Sequence, residues 1–140
     1  MYLRYHLLDD QKDAMILLAR ILILILYGYF GFTYVTDNDS FVEYLISVDA
    51  PMPRVTAIIG AIVEFFGGIA LLLGFWTRPL AALFAVYTIG TGLIGHAYWS
   101  LTDPVAHHTQ FVHFFKNVSI AGGFLFLALL GPGRYSIDGR

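Results

Sequence analysis

Residues 14–35 read AMILLARILILILYGYFGFTYV, 22 residues carrying one charge, Arg20. At about 1.5 Å per residue, such a run crosses a hydrocarbon core of roughly 30 Å as one helix. It is apolar on every face, which a helix at the surface of a soluble domain is not. The stretch therefore predicts a membrane span. The segment before it, MYLRYHLLDDQKD, mixes charges with apolar residues, and no small-residue cleavage site follows the apolar run. An amphipathic head leading into an uncleaved span is expected, rather than a signal peptide.

Three further apolar runs follow, at about Val55 to Phe75, Leu80 to Tyr98 and Phe111 to Leu130. Only Trp76-Thr77-Arg78-Pro79 separates the second from the third, so those two must form an antiparallel hairpin. Between spans one and two, SFVEYLISVDAPMP (40–53) places Phe41, Tyr44, Leu45 and Val48 at helical spacing. Ser40 and Glu43 have the spacing of a capping box, and Pro51 and Pro53 stop the segment. A short amphipathic helix lying in the interface is expected there. The fold class that emerges is all-α: a single-domain, integral membrane four-helix bundle of two antiparallel hairpins over residues 1–140.

Composition agrees, because 58% hydrophobic and 13% charged residues among 140, with a mean hydropathy of +0.70, leave more apolar surface than a soluble chain of this size can bury. The eight Lys and Arg are scattered singly, which argues against nucleic-acid binding. The absence of cysteine excludes disulfides and thiolate-held iron–sulfur clusters within the chain. Arg4, Lys12, Arg78, Arg134 and Arg140 fall on the side of the termini and only Arg54 on the other, which predicts cytoplasmic N- and C-termini.

An ionisable side chain in lipid costs on the order of 3 kcal/mol or more, so those within spans must face the bundle interior and find partners. Arg20, Glu64, His96 and Lys116 are in that position. Counting along the helices puts Glu64 near the midplane, Arg20 roughly 9 Å from one face and Lys116 roughly 8 Å from the other. Two readings are open for Glu64. It is an ion-pair pin, bonded to Arg20 or Lys116, or it stands at a cavity handling a proton or a polar ligand head, with those cations as partners. His113, Lys116 and Asn117 share one face of the fourth span, which must point inward. Tyr87 either lines the same cavity or bonds a backbone carbonyl. His96 and His113 end facing spans at one level, an arrangement that can hold a haem or transition metal, but no carboxylate shares a face with His96. Haem or metal is accordingly not expected.

The runs LLAR (17–20), APMP (50–53), IVEFFGGIALLLGFWTRPLA (62–81), HAYW (96–99) and FFKNVSIAGGFLFLALLGPGRYSID (114–138) resemble, in order and spacing, the DoxX family of bacterial four-helix membrane proteins. The resemblance covers residues 14–138. It implies the bacterial inner membrane and a quinone-facing membrane subunit of an oxidoreductase system, with Arg20, Glu64, Arg78, His96, Lys116 and Asn117 on the family's polar positions. Since no electron carrier is encoded in the chain, a separate redox partner protein would have to deliver electrons. Where the family often carries a lysine after a Gly-Phe pair closing span one, this chain has Gly31-Phe32-Thr33-Tyr34. A quinone head near Glu64, Lys116 and His96 is the leading expectation, with Glu64 or His96 handling protons. The alternative is a non-enzymatic scaffold, or a small-molecule transporter, whose buried charges pin the bundle; transport by four short helices would require a homodimer.

Overall fold

In the computed structural model, which describes residues 8–139, the chain is helical wherever it is regular. The amphipathic head before Leu8, with Arg4, and the terminal Arg140 lie outside the described residues. A short 3-10 turn leads into α1 (Lys12–Thr36), followed by the ten-residue α2 (Asn38–Ser47). Helix α3 (Pro53–Leu73) is α-helical over Pro53–Ala61, π-helical over Ile62–Gly67 and α-helical again over Gly68–Leu73. Helices α4 (Thr77–Gly95) and α5 (Pro104–Leu130) complete the bundle. Four of these helices are long and apolar enough to span a membrane. Lys12, Leu73, Thr77 and Leu130 lie at one end, here the terminal end; α2, Pro53, Gly95 and Pro104 lie at the far end.

The core is narrow. Leu24 and Tyr27 of α1, Leu71 of α3, Ala81, Phe84 and Ala85 of α4, and Ala121, Phe124 and Leu127 of α5 are buried together. Outside them Leu22, Val86, Phe126 and Leu129 are 59 to 73% exposed, an apolar belt that water would penalise and lipid would not. A second cluster, Leu45, Ala50 and Ala57 with Phe41 and Ile94 against it, seats α2 on α3 and α4.

Several boundaries differ from the sequence reading. The third span runs Thr77–Gly95 rather than about Leu80 to Tyr98, so Thr77-Arg78-Pro79 open α4 and the turn before it is residues 74–76. The fourth helix begins at Pro104, not near Phe111, because the Asp103 carboxylate accepts the Ala106 N–H at 2.8 Å and Pro104 occupies the first turn. His107 and His108 are thus helical rather than in a loop. At 27 residues α5 is roughly 40 Å long, more than the hydrocarbon thickness, so its polar first turns extend past the core or the helix tilts.

The cap of α2 is likewise Asp37, which accepts the Ser40 N–H at 3.2 Å, and not Ser40 in a box with Glu43. Hydrogen bonds from the Ser40 hydroxyl, and then its N–H, hold the Asp37 carboxyl below the usual aspartate range. A depressed carboxyl stabilises the folded state above the unfolded pKa and loses that contribution as pH falls through its own lower value. Amide exchange at Ser40 should therefore stay slow at neutral pH and accelerate only under acid, below the titration of a free aspartate. Exchange that is unchanged by Asp37→Ala at neutral pH would show that the cap contributes nothing.

Candidate functional site

A cavity of about 890 Å³ opens within the far half of the bundle. On α3 it is lined by Thr56, Ile59, Gly60 and, from the π-helical stretch, the buried Glu64, which faces α4. The Tyr87 hydroxyl donates to Glu64 Oε1 at 2.7 Å. Of the two readings open for Tyr87, a side-chain partner and not a backbone carbonyl is what the structure shows. The wider π turn is rare in helices and recurs at functional positions. The backbone of α1 lies directly against it: a Cβ built on Gly31 would stand 2.6 Å from the Phe65 nitrogen and 2.7 Å from the Glu64 carbonyl carbon.

The facing wall belongs to α5 and the end of α4. Lys116 Nζ is 3.3 Å from His113 Nδ1, one turn away on the same helix. His96 caps α4, its Nδ1 is 2.7 Å from Gln110 Oε1, and its ring lies 5.2 Å from that of His113. Asn117 Nδ2 donates to the Thr88 carbonyl at 3.3 Å and reaches Thr91 Oγ1 at 3.4 Å, tying α5 to α4. Asn117 thus meets α4 at the level of Thr88, next to Tyr87, and of Thr91, one turn (about 5.4 Å) further on.

Six of the seven residues singled out from the sequence, Glu64, Tyr87, His96, His113, Lys116 and Asn117, line this one cavity. Arg20 does not. It is 1% exposed, and its guanidinium donates to the backbone carbonyls of Pro132 (3.1 Å) and Tyr135 (2.6 Å) at the terminal end. Neither ion pair weighed for Glu64, with Arg20 or with Lys116, is formed among the described residues. The reason is rotational: the spans are apolar all round, so hydropathy left the facing of each helix undetermined.

Sequence reasoning missed the aromatic share of the site. Tyr34 of α1 stacks on Phe41 of α2 at 3.5 Å between ring centroids, and Tyr27 packs edge-on against Phe84 and Phe124. The Tyr27 hydroxyl lies 2.5 Å from Thr88 Oγ1, which itself donates to the Phe84 carbonyl. Tyr44 closes the far end, its hydroxyl donating to the Gly95 carbonyl at 3.3 Å; burial raises its phenol pKa, so it remains a donor. Recurrence at positions 27, 30 and 34 on one helix face was the available signal. Among the described residues no three of His, Asp and Glu cluster as a metal-binding set.

The cavity lining offers a carboxyl bonded to a phenol, a cation beside an imidazole, and the aromatic rings of Tyr27, Phe30, Tyr34 and Phe41.

Comparison with known proteins places the chain. The family model described as DoxX matches residues 15–97. Inner membrane protein YphA of Escherichia coli K12 is 45% identical over 138 residues, covering 99% of this chain and 98% of that protein. Inner membrane protein YqjF of the same organism is 36% identical over 127 residues, 91% of this chain and 92% of that protein. A Surfeit locus protein 4 homolog of Schizosaccharomyces pombe is 29% identical over 68 residues, 48% of this chain and 22% of that protein. No solved structure matches. With a family match over more than half its length, full-length relatives named as inner membrane proteins and four helices able to span a bilayer, the chain belongs to the DoxX family.

Proposed function

We propose that this protein is a multi-pass component of the bacterial inner membrane, termini in the cytoplasm, that binds a quinone as the membrane subunit of an oxidoreductase system. The observation that carries the reading is the Glu64–Tyr87 hydrogen bond on the wall of a cavity of about 890 Å³ whose other wall holds Lys116. The lining fits the group: aromatic side chains line the cavity, and a phenol, an ammonium, imidazoles and a carboxyl able to carry a proton would supply hydrogen bonds to a quinone's oxygens. A bound quinone supplies redox chemistry in which electrons and protons are taken up together.

The residues of the chain would do the rest. Glu64, whose Oε1 accepts the Tyr87 hydroxyl, would carry a proton on Oε2 and give it up as negative charge develops on the bound head group. Lys116 Nζ offsets negative charge on its side of the cavity, and His113 Nδ1 keeps that ammonium in place. His96, held by Gln110, is the second proton site and lies toward the far end. With no cysteine to hold a cluster, electrons come from a partner protein.

Purified protein extracted with organic solvent should yield about one quinone per chain by absorbance and mass spectrometry. Glu64→Gln, which keeps an acceptor for Tyr87 but has no carboxyl proton to give, should lower quinone retention up to about tenfold, because an ordinary hydrogen bond is worth about 0.5–1.5 kcal/mol. Its melting temperature in detergent should stay close to that of the parent chain. An empty extract, or a Glu64→Gln protein that fails to fold, would instead make the polar cluster packing for a scaffold.

A further inference from the structure

The cavity is placed unevenly along the bundle. Its lining reaches no nearer the terminal end than Leu26 on α1, Glu64 on α3, Val86 on α4 and Ile120 on α5. From that level each of α3, α4 and α5 continues toward the terminal end for roughly nine residues, or about 14 Å. This depth is packed. Leu71, Ala81, Phe84 and Phe124 are 0% exposed within it, and nearer the end Thr77 and Arg20 are equally buried, the C-terminal segment lying over Arg20.

In the other direction the lining runs to the ends of the helices. It includes Thr33 in the last turn of α1, Thr56 in the first turn of α3 and His96 at the cap of α4. It then continues past the stacked rings of Tyr34 and Phe41 to Asp37 and Ser40, which lie beyond α1 and are exposed. Tyr44 lies across this end, but it is itself 43% exposed, and its hydrogen bond to the Gly95 carbonyl is at the surface. A carboxylate and a hydroxyl on the rim favour water there. Exposed lining residues at mid-span, Leu26, Ile59 and Val86 among them, give onto hydrocarbon, which supplies neither water nor protons.

We infer that the cavity is an aqueous half-channel, wetted from the side of the membrane opposite the termini and sealed from the side of the termini. Glu64, His96, His113 and Lys116 then exchange protons with one compartment alone. A proton that Glu64 gives to a bound head group is replaced from that compartment. What the protons do rests on the quinone reading of the cavity; the water route rests on the walls.

The full chain has no cysteine, so single-cysteine variants test the route without background. The probe is a membrane-impermeant methanethiosulfonate bearing a trimethylammonium group, added to right-side-out and to inverted membrane vesicles. Glu43→Cys on α2 and Ile137→Cys in the tail, both at exposed positions, report which side the reagent reaches. Gly90→Cys puts a thiol on the cavity wall where a Cβ meets nothing within 4 Å, and Gly122→Cys puts one with the same freedom on the terminal half of α5, outside the cavity. Gly90→Cys should react at least about tenfold faster from the side that labels Glu43→Cys than from the other, since a fixed charge does not cross hydrocarbon, and Gly122→Cys should react from neither. Gly90→Cys that reacts from the Ile137 side, from both sides alike or from neither would overturn the inference, as would Gly122→Cys reacting as fast as Gly90→Cys. A benzoquinone with a decyl tail, at about ten times its Kd, should slow the labelling of Gly90→Cys about tenfold and leave Glu43→Cys unchanged, since only unoccupied protein reacts. Labelling that keeps its sidedness but is not slowed would overturn the quinone reading and leave the half-channel standing.

Discussion

Gly31→Ala lowers the melting temperature of the protein in detergent by several degrees and abolishes ligand retention, whereas Gly28→Ala, one turn away, leaves both unchanged or slightly raises stability. The two glycines lie on one helix and differ in what a methyl group would meet. At position 31 the nearest atoms are backbone, Phe65 N at 2.6 Å and the Glu64 carbonyl carbon at 2.7 Å, and no side-chain rotation relieves that clash. At position 28 nothing lies within 4 Å. Overpacking of this kind costs about 1–3 kcal/mol, and here it must push α1 off the π-helical stretch that aims Glu64. Gly28→Ala removes only a helix-interior glycine, a gain of up to about 1 kcal/mol where nothing opposes it. Thermal unfolding of the two variants side by side, with quinone retention measured on each, decides the matter. Equal melting temperatures would mean that the contact between α1 and the π stretch is not a constraint.

That contact shows where sequence reasoning reaches its limit. Four runs of hydropathy were enough to give four spans, since only helices satisfy the backbone in lipid without a closed barrel. The same cost argument, applied to single polar residues inside those runs, led to Glu64, Tyr87, His96, His113, Lys116 and Asn117, all of which line one cavity. It also led to Arg20, because burial of a charge requires partners but does not say which. Pairing was illegible because helices apolar on every face carry no period from which to read their rotation. The start of α5 was misread because HHTQ is polar and hydropathy measures polarity, whereas the Asp103 cap and Pro104 start the helix regardless. Nothing in IVEFFG distinguishes a π turn from an α turn, nor shows that Gly31 of another helix lies against it.

The tail RYSIDGR has the composition of a loose end, and it is the partner Arg20 finds. Arg20→Met should cost about 3 kcal/mol or more, since it removes charged hydrogen bonds to the Pro132 and Tyr135 carbonyls from a fully buried position. The segment they hold does further structural work. Ile137 and Asp138 donate their N–H groups to the Leu73 and Gly74 carbonyls at 2.9 and 3.0 Å, satisfying the end of α3. The Asp138 carboxylate accepts the N–H groups of Trp76 and Thr77 at 3.2 and 3.1 Å, capping α4 from 61 residues away and holding Trp76 in a left-handed conformation with φ 50°. Across the bundle the Arg134 N–H reaches Asp13 Oδ1 at 2.9 Å. Loss of the guanidinium should therefore loosen the whole segment, and trypsin cleavage after the exposed Arg134 should accelerate about tenfold or more, the equivalent of a local opening made easier by about 1.4 kcal/mol. Asp138→Asn, which keeps an acceptor but loses the charge, should have the smaller effect of a weakened cap, about 1 kcal/mol. Quinone affinity, measured below the melting temperature, should be unaltered in Arg20→Met, because the cavity lies toward the other end of the bundle and does not include this residue. An Arg20→Met protein that kept its tail protected and lost its ligand would return Arg20 to the binding site, where its charge alone had first suggested it belonged.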